Sequence, residues 1–147
     1  MCGAGERQTQ QPEPVPLGRV LVVEDDEIDL ELTRSAFDEL QLGDVLDVAR
    51  DGDEALHYLQ QAVRDSRVPS FVLLDVNMPR MNGFQLLEAI RAQAALQAMP
   101  VVVFSTSSRR IDEARALSLR AQAYAVKPFE TEVLVGLVAD WVRRWLK

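Results

Sequence analysis

Short, nearly continuous aliphatic runs recur along this chain, and each stops at a polar or charged residue. Val20-Leu21-Val22-Val23 stops at Glu24-Asp25-Asp26, and Phe71-Val72-Leu73-Leu74 stops at Asp75. Val101-Val102-Val103-Phe104 stops at Ser105, and Ala123-Tyr124-Ala125-Val126 stops at Lys127. A brief apolar run bounded by turn residues, such as Pro69-Ser70 and Pro79 around the 71–74 run, reads as a strand buried on both faces. Strands of this kind belong to parallel sheets covered by helices on both sides. The pattern predicts strands at 19–24, 45–49, 70–75, 100–105 and 123–126. Helices are expected near 28–41, 52–65, 83–95, 109–120 and 130–146. Five strand-then-helix units without an internal repeat define the doubly wound α/β class.

Local signals set the boundaries. Asp26 and Glu27 place negative charge at the positive end of the first helix dipole. Gly43 follows the apolar Leu42 as a stop signal. Asp51-Gly52-Asp53 reads as a turn and then an N-cap. Asn82-Gly83 is a turn pair in which Gly83 can take a positive φ. Arg143, Arg144 and Lys147 complement the negative end of the last helix. Residues 1–17 are rich in Gln, Pro, Glu and Gly and cannot bury apolar area, so a flexible arm is expected there, followed by one domain at 18–147.

The polar residues that end the strands carry the chemistry. In open parallel sheets, sites form at the carboxyl ends of the strands. Two strands would deliver Glu24, Asp25 and Asp75 to one sheet edge, a cluster that is unfavourable without a cation. Ser105 would add a hydroxyl and Lys127 a fixed ammonium. An acidic metal pocket, a hydroxyl and a lysine converging on one aspartate can form an aspartyl phosphate. Asp26 is the expected N-cap, leaving Glu24 and Asp25 as the metal pair. Thr106 should point away from Ser105 by strand alternation, and Ser107 or Ser108 should cap the next helix. His57 sits on a mixed helix face beside Tyr58 and receives no role.

Glu24-Asp25, Asp75, Asn77, Met78-Pro79, Gly83, Ser105, Tyr124 and Lys127-Pro128 together resemble the receiver domain of two-component response regulators. The spacings agree: thirty residues separate Asp75 from Ser105, and twenty-two separate Ser105 from Lys127. The resemblance runs from about Arg19 to Trp145. The stretches VVEDDEIDLELTRSAF, VARDGDEALHYL, LLDVNMPRMNGF and VVVFSTSS are most similar to the single-domain, phytochrome-associated receivers. The resemblance implies a flavodoxin-like (βα)5 fold with strand order 2-1-3-4-5. It implies Asp75 as phospho-acceptor and Mg²⁺ as cofactor, held by Asp25 and Asp75 directly, by Glu24 through water and by the backbone carbonyl of Asn77. Lys127 and Ser105 would bind the transferred phosphoryl group. Ser105 and Tyr124 would form the switch, and Lys127-Pro128 would carry a cis peptide. The implied partner is a sensor histidine kinase, with a bacteriophytochrome as the candidate the phytochrome-type likeness points to, or a phosphotransfer protein.

Composition excludes several classes. A net charge of −7 disfavours nucleic acid as direct partner. The apolar runs are too short to span a bilayer. The N-terminus has no basic and apolar pattern of a secretory signal. A lone Cys2 fits a reducing cytoplasm. Two other functions remain open. One is a metal-dependent phosphohydrolase with an aspartyl intermediate, against which Asn77 stands, since it cannot protonate a leaving group. The other is a receiver that binds partners without phosphorylation, against which the intact acids and lysine stand. An enzyme beyond self-catalysed phosphotransfer and dephosphorylation is not expected.

No second domain is expected after Lys147, so output should pass through the domain's own surface. The last helix, EVLVGLVADWVRRWLK, carries more apolar residues than one core stripe uses. Val138, Trp141, Val142 and Trp145 are therefore expected to form a homodimer face with the fourth helix and fifth strand.

Overall fold

The computed structural model describes residues 18–78 and 81–147. The expected arm at 1–17 and the proline of Met78-Pro79 lie outside the described residues. Five strands, β1 (Val20–Val23), β2 (Leu46–Ala49), β3 (Phe71–Leu74), β4 (Val101–Ser105) and β5 (Ala123–Val126), form one sheet. All pairings are parallel, and the order is β2-β1-β3-β4-β5. The helices are α1 (Glu27–Glu39), α2 (Gly52–Arg64), α3 (Gly83–Arg91), α4 (Arg110–Ser118) and α5 (Thr131–Trp145). This is the flavodoxin-like arrangement expected above.

Strand alternation divides the core in two. Leu21, Val23, Val72, Leu74, Val101 and Val103 face α2, α3 and α4. Val20, Val22, Phe71, Leu73, Val102 and Phe104 face α1 and α5. Successive strand side chains point to opposite faces, so a buried strand must be apolar throughout. The three central strands β1, β3 and β4 are buried along their whole length, whereas β2 and β5 are partly exposed edges.

The helix starts follow the expected chemistry. Asp26 caps α1 by accepting from the Asp29 N–H at 2.9 Å, and Asp51 caps α2 by accepting from the Glu54 N–H at 2.7 Å. Asn82 and Gln85 close a capping box on α3. The α4 start is different. Its cap position is Arg109, whose side chain makes no capping bond. Instead the Ser107 hydroxyl accepts from the Arg109 N–H at 3.2 Å and donates to Asp112 at 2.5 Å. Thr106 is exposed and Ser105 buried, as alternation requires.

Four sequence expectations are corrected. First, α1 ends at Glu39 and the left-handed residue after it is Gln41 (φ 61°), while Gly43 only opens a short 3₁₀ turn. Second, no glycine among the described residues takes a positive φ. Gly83 is needed for space, because a Cβ there would stand 2.5 Å from the Asp75 carbonyl oxygen and 2.6 Å from the Val76 Cα. Third, α3 stops at Arg91 rather than near 95. The buried Arg91 guanidinium turns onto the carbonyls of Leu96, Met99 and Arg120 at 2.9–3.1 Å and onto the Gln122 amide oxygen at 2.8 Å, which draws the chain out of the helix.

The fourth correction concerns α5. Val138 and Trp141 are core residues, Trp141 being 4% exposed and packed edge-on against Phe104 at 5.5 Å. They cannot form an exposed dimer face. Trp145 is partly buried and lies tilted on Phe71 at 5.7 Å, and Val142 packs against the same cluster. The second apolar stripe read from the sequence is used to cover the sheet.

Candidate phospho-acceptor site

The sheet places its acids by carrying its ladder one residue past the strands. The Glu24 N–H donates to the Ala49 carbonyl at 3.0 Å, and the Asp75 N–H donates to the Val23 carbonyl at 3.1 Å. These bonds fix the backbone where the side chains turn out of the sheet edge. One carboxylate oxygen from each of Glu24, Asp25 and Asp75 lies within 4.8 Å of the others. Glu24 and Asp75 are buried, at 3% and 6% exposed, while Asp25 is exposed. The trio therefore has a closed back and an open front.

Lys127 reaches this trio from the far side of β4. Its own N–H donates to the Ser105 carbonyl at 2.7 Å, which extends the β4–β5 ladder to the lysine. The ammonium donates to Glu24 at 2.6 Å and to Asp29 at 3.0 Å, and it stands 3.5 Å from Asp75. Phe104 packs beneath it, with the ring centroid 5.9 Å away. The Lys127–Pro128 bond departs from expectation, since no peptide among the described residues is cis. The lysine is aimed inward by the β4 ladder and its carboxylate partners.

The remaining expected residues lie around this centre. Asn77 enters through its backbone, its N–H donating to Asp75 Oδ1 at 3.1 Å, while its side chain is exposed. Ser105 is fully buried, and its hydroxyl accepts from the Ser107 N–H at 3.1 Å. A hydroxyl that accepts still has its own proton to donate. Tyr124 is half-buried and donates to the Ser107 carbonyl at 2.7 Å. Ser105 and Tyr124 thus hold the same loop residue from two sides.

Electrostatics mark the centre as short of positive charge. Burial, and then the neighbouring Asp75 charge, push the Glu24 carboxyl up to about 7 against the pull of Lys127. Burial alone would lower the Lys127 ammonium, but its bond to Glu24 and the charges of Asp75 and Asp29 hold it above an ordinary lysine. Three hard carboxylate oxygens, one surplus in charge and one open to solvent, suit a divalent cation. Asp29 was not anticipated as part of the site. Its position in the first turn of α1 reads in sequence only as a dipole complement.

An aspartate set among carboxylates, a hydroxyl and a lysine at the carboxyl edge of a five-stranded parallel sheet defines a phosphoryl-accepting signalling domain. The response regulator receiver domain family matches residues 20–139, and the chain belongs to that family. It is 35% identical over 128 residues to the probable methanogenesis regulatory protein FilR2 of Methanothrix harundinacea, covering 86% of this chain and 83% of that protein. It is 30% identical over 130 residues to response regulator Rcp1 of Synechocystis, covering 87% and 88%. The Mn²⁺-bound structure of Rcp1 superposes with a TM-score of 0.74 over 88% of this chain and 95% of that one. The bacteriophytochrome response regulator AtBRR is 36% identical, with a TM-score of 0.70 and coverage of 86% and 93%. Among the described residues no helix is long and apolar enough to cross a membrane.

Proposed function

We propose that Asp75 accepts a phosphoryl group from a phosphohistidine on a sensor histidine kinase or phosphotransfer protein. An Asp75 oxygen attacks phosphorus, the new P–O bond forms, and the P–N bond breaks with its electron pair returning to the imidazole. One observation carries the reading: the Asp75 carboxylate lies 3.5 Å from the Lys127 ammonium and within the acidic trio. Lys127 and the Ser105 hydroxyl are the donors for the new phosphoryl oxygens. Mg²⁺ would be held by Asp25, Asp75, Glu24 and the Asn77 backbone, where it supplies charge neutralisation for the transferring group. That Rcp1 binds Mn²⁺ supports a divalent ion in this position.

The product adds roughly −1.5 to −2 charge if it resembles other phosphorylated side chains. Movement of Ser105 toward that charge loosens its hold on Ser107, and the Tyr124 bond to the same residue changes with it. Signalling then begins at the surface around Ser107, the loop residue that both side chains hold. The likeness to AtBRR and Rcp1 supports a phytochrome-type kinase as donor. Ile28 and Phe129 lie exposed on the segments that follow Glu24-Asp25 and Lys127, and they offer such a partner apolar contact. The acidic balance favours a protein partner rather than nucleic acid, and a single cysteine suits the reducing cytoplasm. A homodimer through α4, β5 and α5 belongs to this reading, carried by different residues from those expected.

The test is Mg²⁺-dependent labelling of the full chain by acetyl phosphate and by a phosphorylated kinase. Wild type should gain one acid-stable, base-labile phosphoryl group, and Asp75→Asn should gain none. Label on Asp75→Asn at the wild-type level would remove Asp75 from its role. Steady release of phosphate from many unrelated monoesters would favour the hydrolase instead.

A further inference from the structure

The Lys127 ammonium has three N–H donors. Glu24 takes one at 2.6 Å and Asp29 takes another at 3.0 Å. Asp75 stands beyond both, at 3.5 Å. Two tethers thus hold the ammonium while its third partner is the acceptor. The tethers are not equivalent. Glu24 belongs to the acidic trio and would be drawn toward any cation that enters it. Asp29 stands outside that trio, on another element, and its bond to the lysine does not compete with a cation held there.

Asp29 is also built to stay in place. It is the third residue of α1, and its N–H is fixed by the Asp26 cap at 2.9 Å. Its carbonyl receives the buried Thr33 hydroxyl at 3.0 Å, and the next residue, Leu30, is buried in the core. An acid in the first turn needs no partner to favour the helix dipole. This one is instead directed across the sheet edge to a residue ninety-eight positions away.

We propose that Asp29 is a positioning residue for phosphotransfer: it anchors the Lys127 ammonium over Asp75 while the cation occupies the neighbouring carboxylates. This rests on the reading of Asp75 as acceptor. Asp29 touches neither the acceptor nor the phosphoryl group and acts through Lys127. A charge-assisted bond that fixes a long flexible side chain removes freedom that the transfer step would otherwise have to remove.

The experiment follows labelling rates with acetyl phosphate and Mg²⁺ for full-length wild type, Asp29→Asn, Lys127→Ala and the double variant. Asp29→Asn should slow labelling by roughly five- to tenfold while Mg²⁺ affinity, by calorimetry, stays within about twofold. In the Lys127→Ala background the same substitution should change the rate by less than about twofold, because the residue through which it acts is gone. Asp29→Glu should recover part of the rate. Labelling of Asp29→Asn at the wild-type rate would overturn the proposal. So would an equal slowing in the Lys127→Ala background, which would mean a general effect on α1. The Lys127 Nζ resonance gives a readout independent of transfer, and it should shift or broaden in Asp29→Asn. Wild type that takes no label at Asp75 would sink the acceptor reading, and an unmoved Nζ resonance would then sink the tether as well.

Discussion

Lys127 and Asp75 face each other at 3.5 Å although they end strands that are not neighbours. β4 lies between β3 and β5, and the lysine side chain crosses its end over the Phe104 ring. The acceptor is therefore reached from β1 on one side and from β5 on the other. Three buried or half-buried carboxylates, Glu24, Asp29 and Asp75, share this one ammonium. Asp25 adds a fourth at the open front. Such a surplus of negative charge suits a divalent cation.

Asp25→Asn should weaken Mg²⁺ binding by roughly tenfold or more, since it removes a hard anionic ligand from a cation with strict coordination needs. Calorimetric titration of wild type and variant measures this. Equal affinities would mean that the ion sits elsewhere. Labelling by acetyl phosphate should fall in the same variant and recover in part at high Mg²⁺.

The pH dependence has a definite sign. Glu24 is an acid whose carboxyl is pushed up to about 7 in the folded chain, from an ordinary value of 4.5. Between those two values the folded state holds a proton that the unfolded state has lost. The contribution of Glu24 to stability is thus fullest below pH 4.5 and declines as pH rises through 7. Without divalent metal, Glu24→Gln should match wild type in urea unfolding near pH 5 and exceed it near pH 8. A difference between the two proteins that does not change with pH would refute the assignment. Metal should oppose this loss, because it binds the deprotonated form.

Gly83→Ala tests how tightly the first turn of α3 is pressed on the acceptor. The added methyl would meet Asp75 and Val76 backbone atoms at 2.5 and 2.6 Å, and backbone cannot step aside as a side-chain tip can. The helix start or the end of β3 must move. Alanine in a helix is favoured over glycine by about 1 kcal/mol, so a local propensity effect alone would stabilise. The expected result is the opposite: a loss of roughly 1–3 kcal/mol in chemical unfolding, with slower labelling at Asp75. A more stable variant with normal labelling would show that the contact is loose.

The strands and the polar residues gathered at their ends were legible because both rest on local rules. Burial on two faces requires continuous aliphatic runs, and chemistry gathers at the carboxyl ends of parallel strands. Residues whose task depends on tertiary approach were not legible. Gly83 reads as a turn glycine, and its requirement for space appears only when α3 docks on β3. Gln41 takes the left-handed position that Gly43 suggested. Arg91 falls inside the helix expected over 83–95, yet it is buried and turned onto the carbonyls of Leu96, Met99 and Arg120. Asp29 reads as a dipole complement, since nothing in sequence joins it to Lys127. Trp141 belongs to a stripe too wide for one face, and only the packing on Phe104 shows that the stripe is consumed inside.

That last point moves the expected dimer contacts to other residues. With Val138 and Trp141 in the core, the large apolar side chains exposed on α4, β5 and α5 are Ile111, Leu117, Val126 and Val133. β5 is also an edge strand that is exposed along part of its length, a surface that proteins commonly cover. A two-fold pairing would bury the same patch on both copies, and a stable one needs about 800 Å² from each. Light scattering at micromolar concentration should give about twice the 16.5 kDa chain mass. Ile111→Glu with Val126→Glu should return it toward one chain with the circular dichroism unchanged, since neither side chain belongs to the core. Trp145→Glu should behave differently: its ring lies on Phe71, so a charge there costs thermal stability before it affects association. If Trp145→Glu dissociates the protein at full stability while the Ile111 and Val126 substitutions leave the mass unchanged, the contact lies on the far end of α5. A wild type that stays at one chain's mass, with and without a phosphoryl mimic, would remove the dimer and leave these four side chains for a different protein partner.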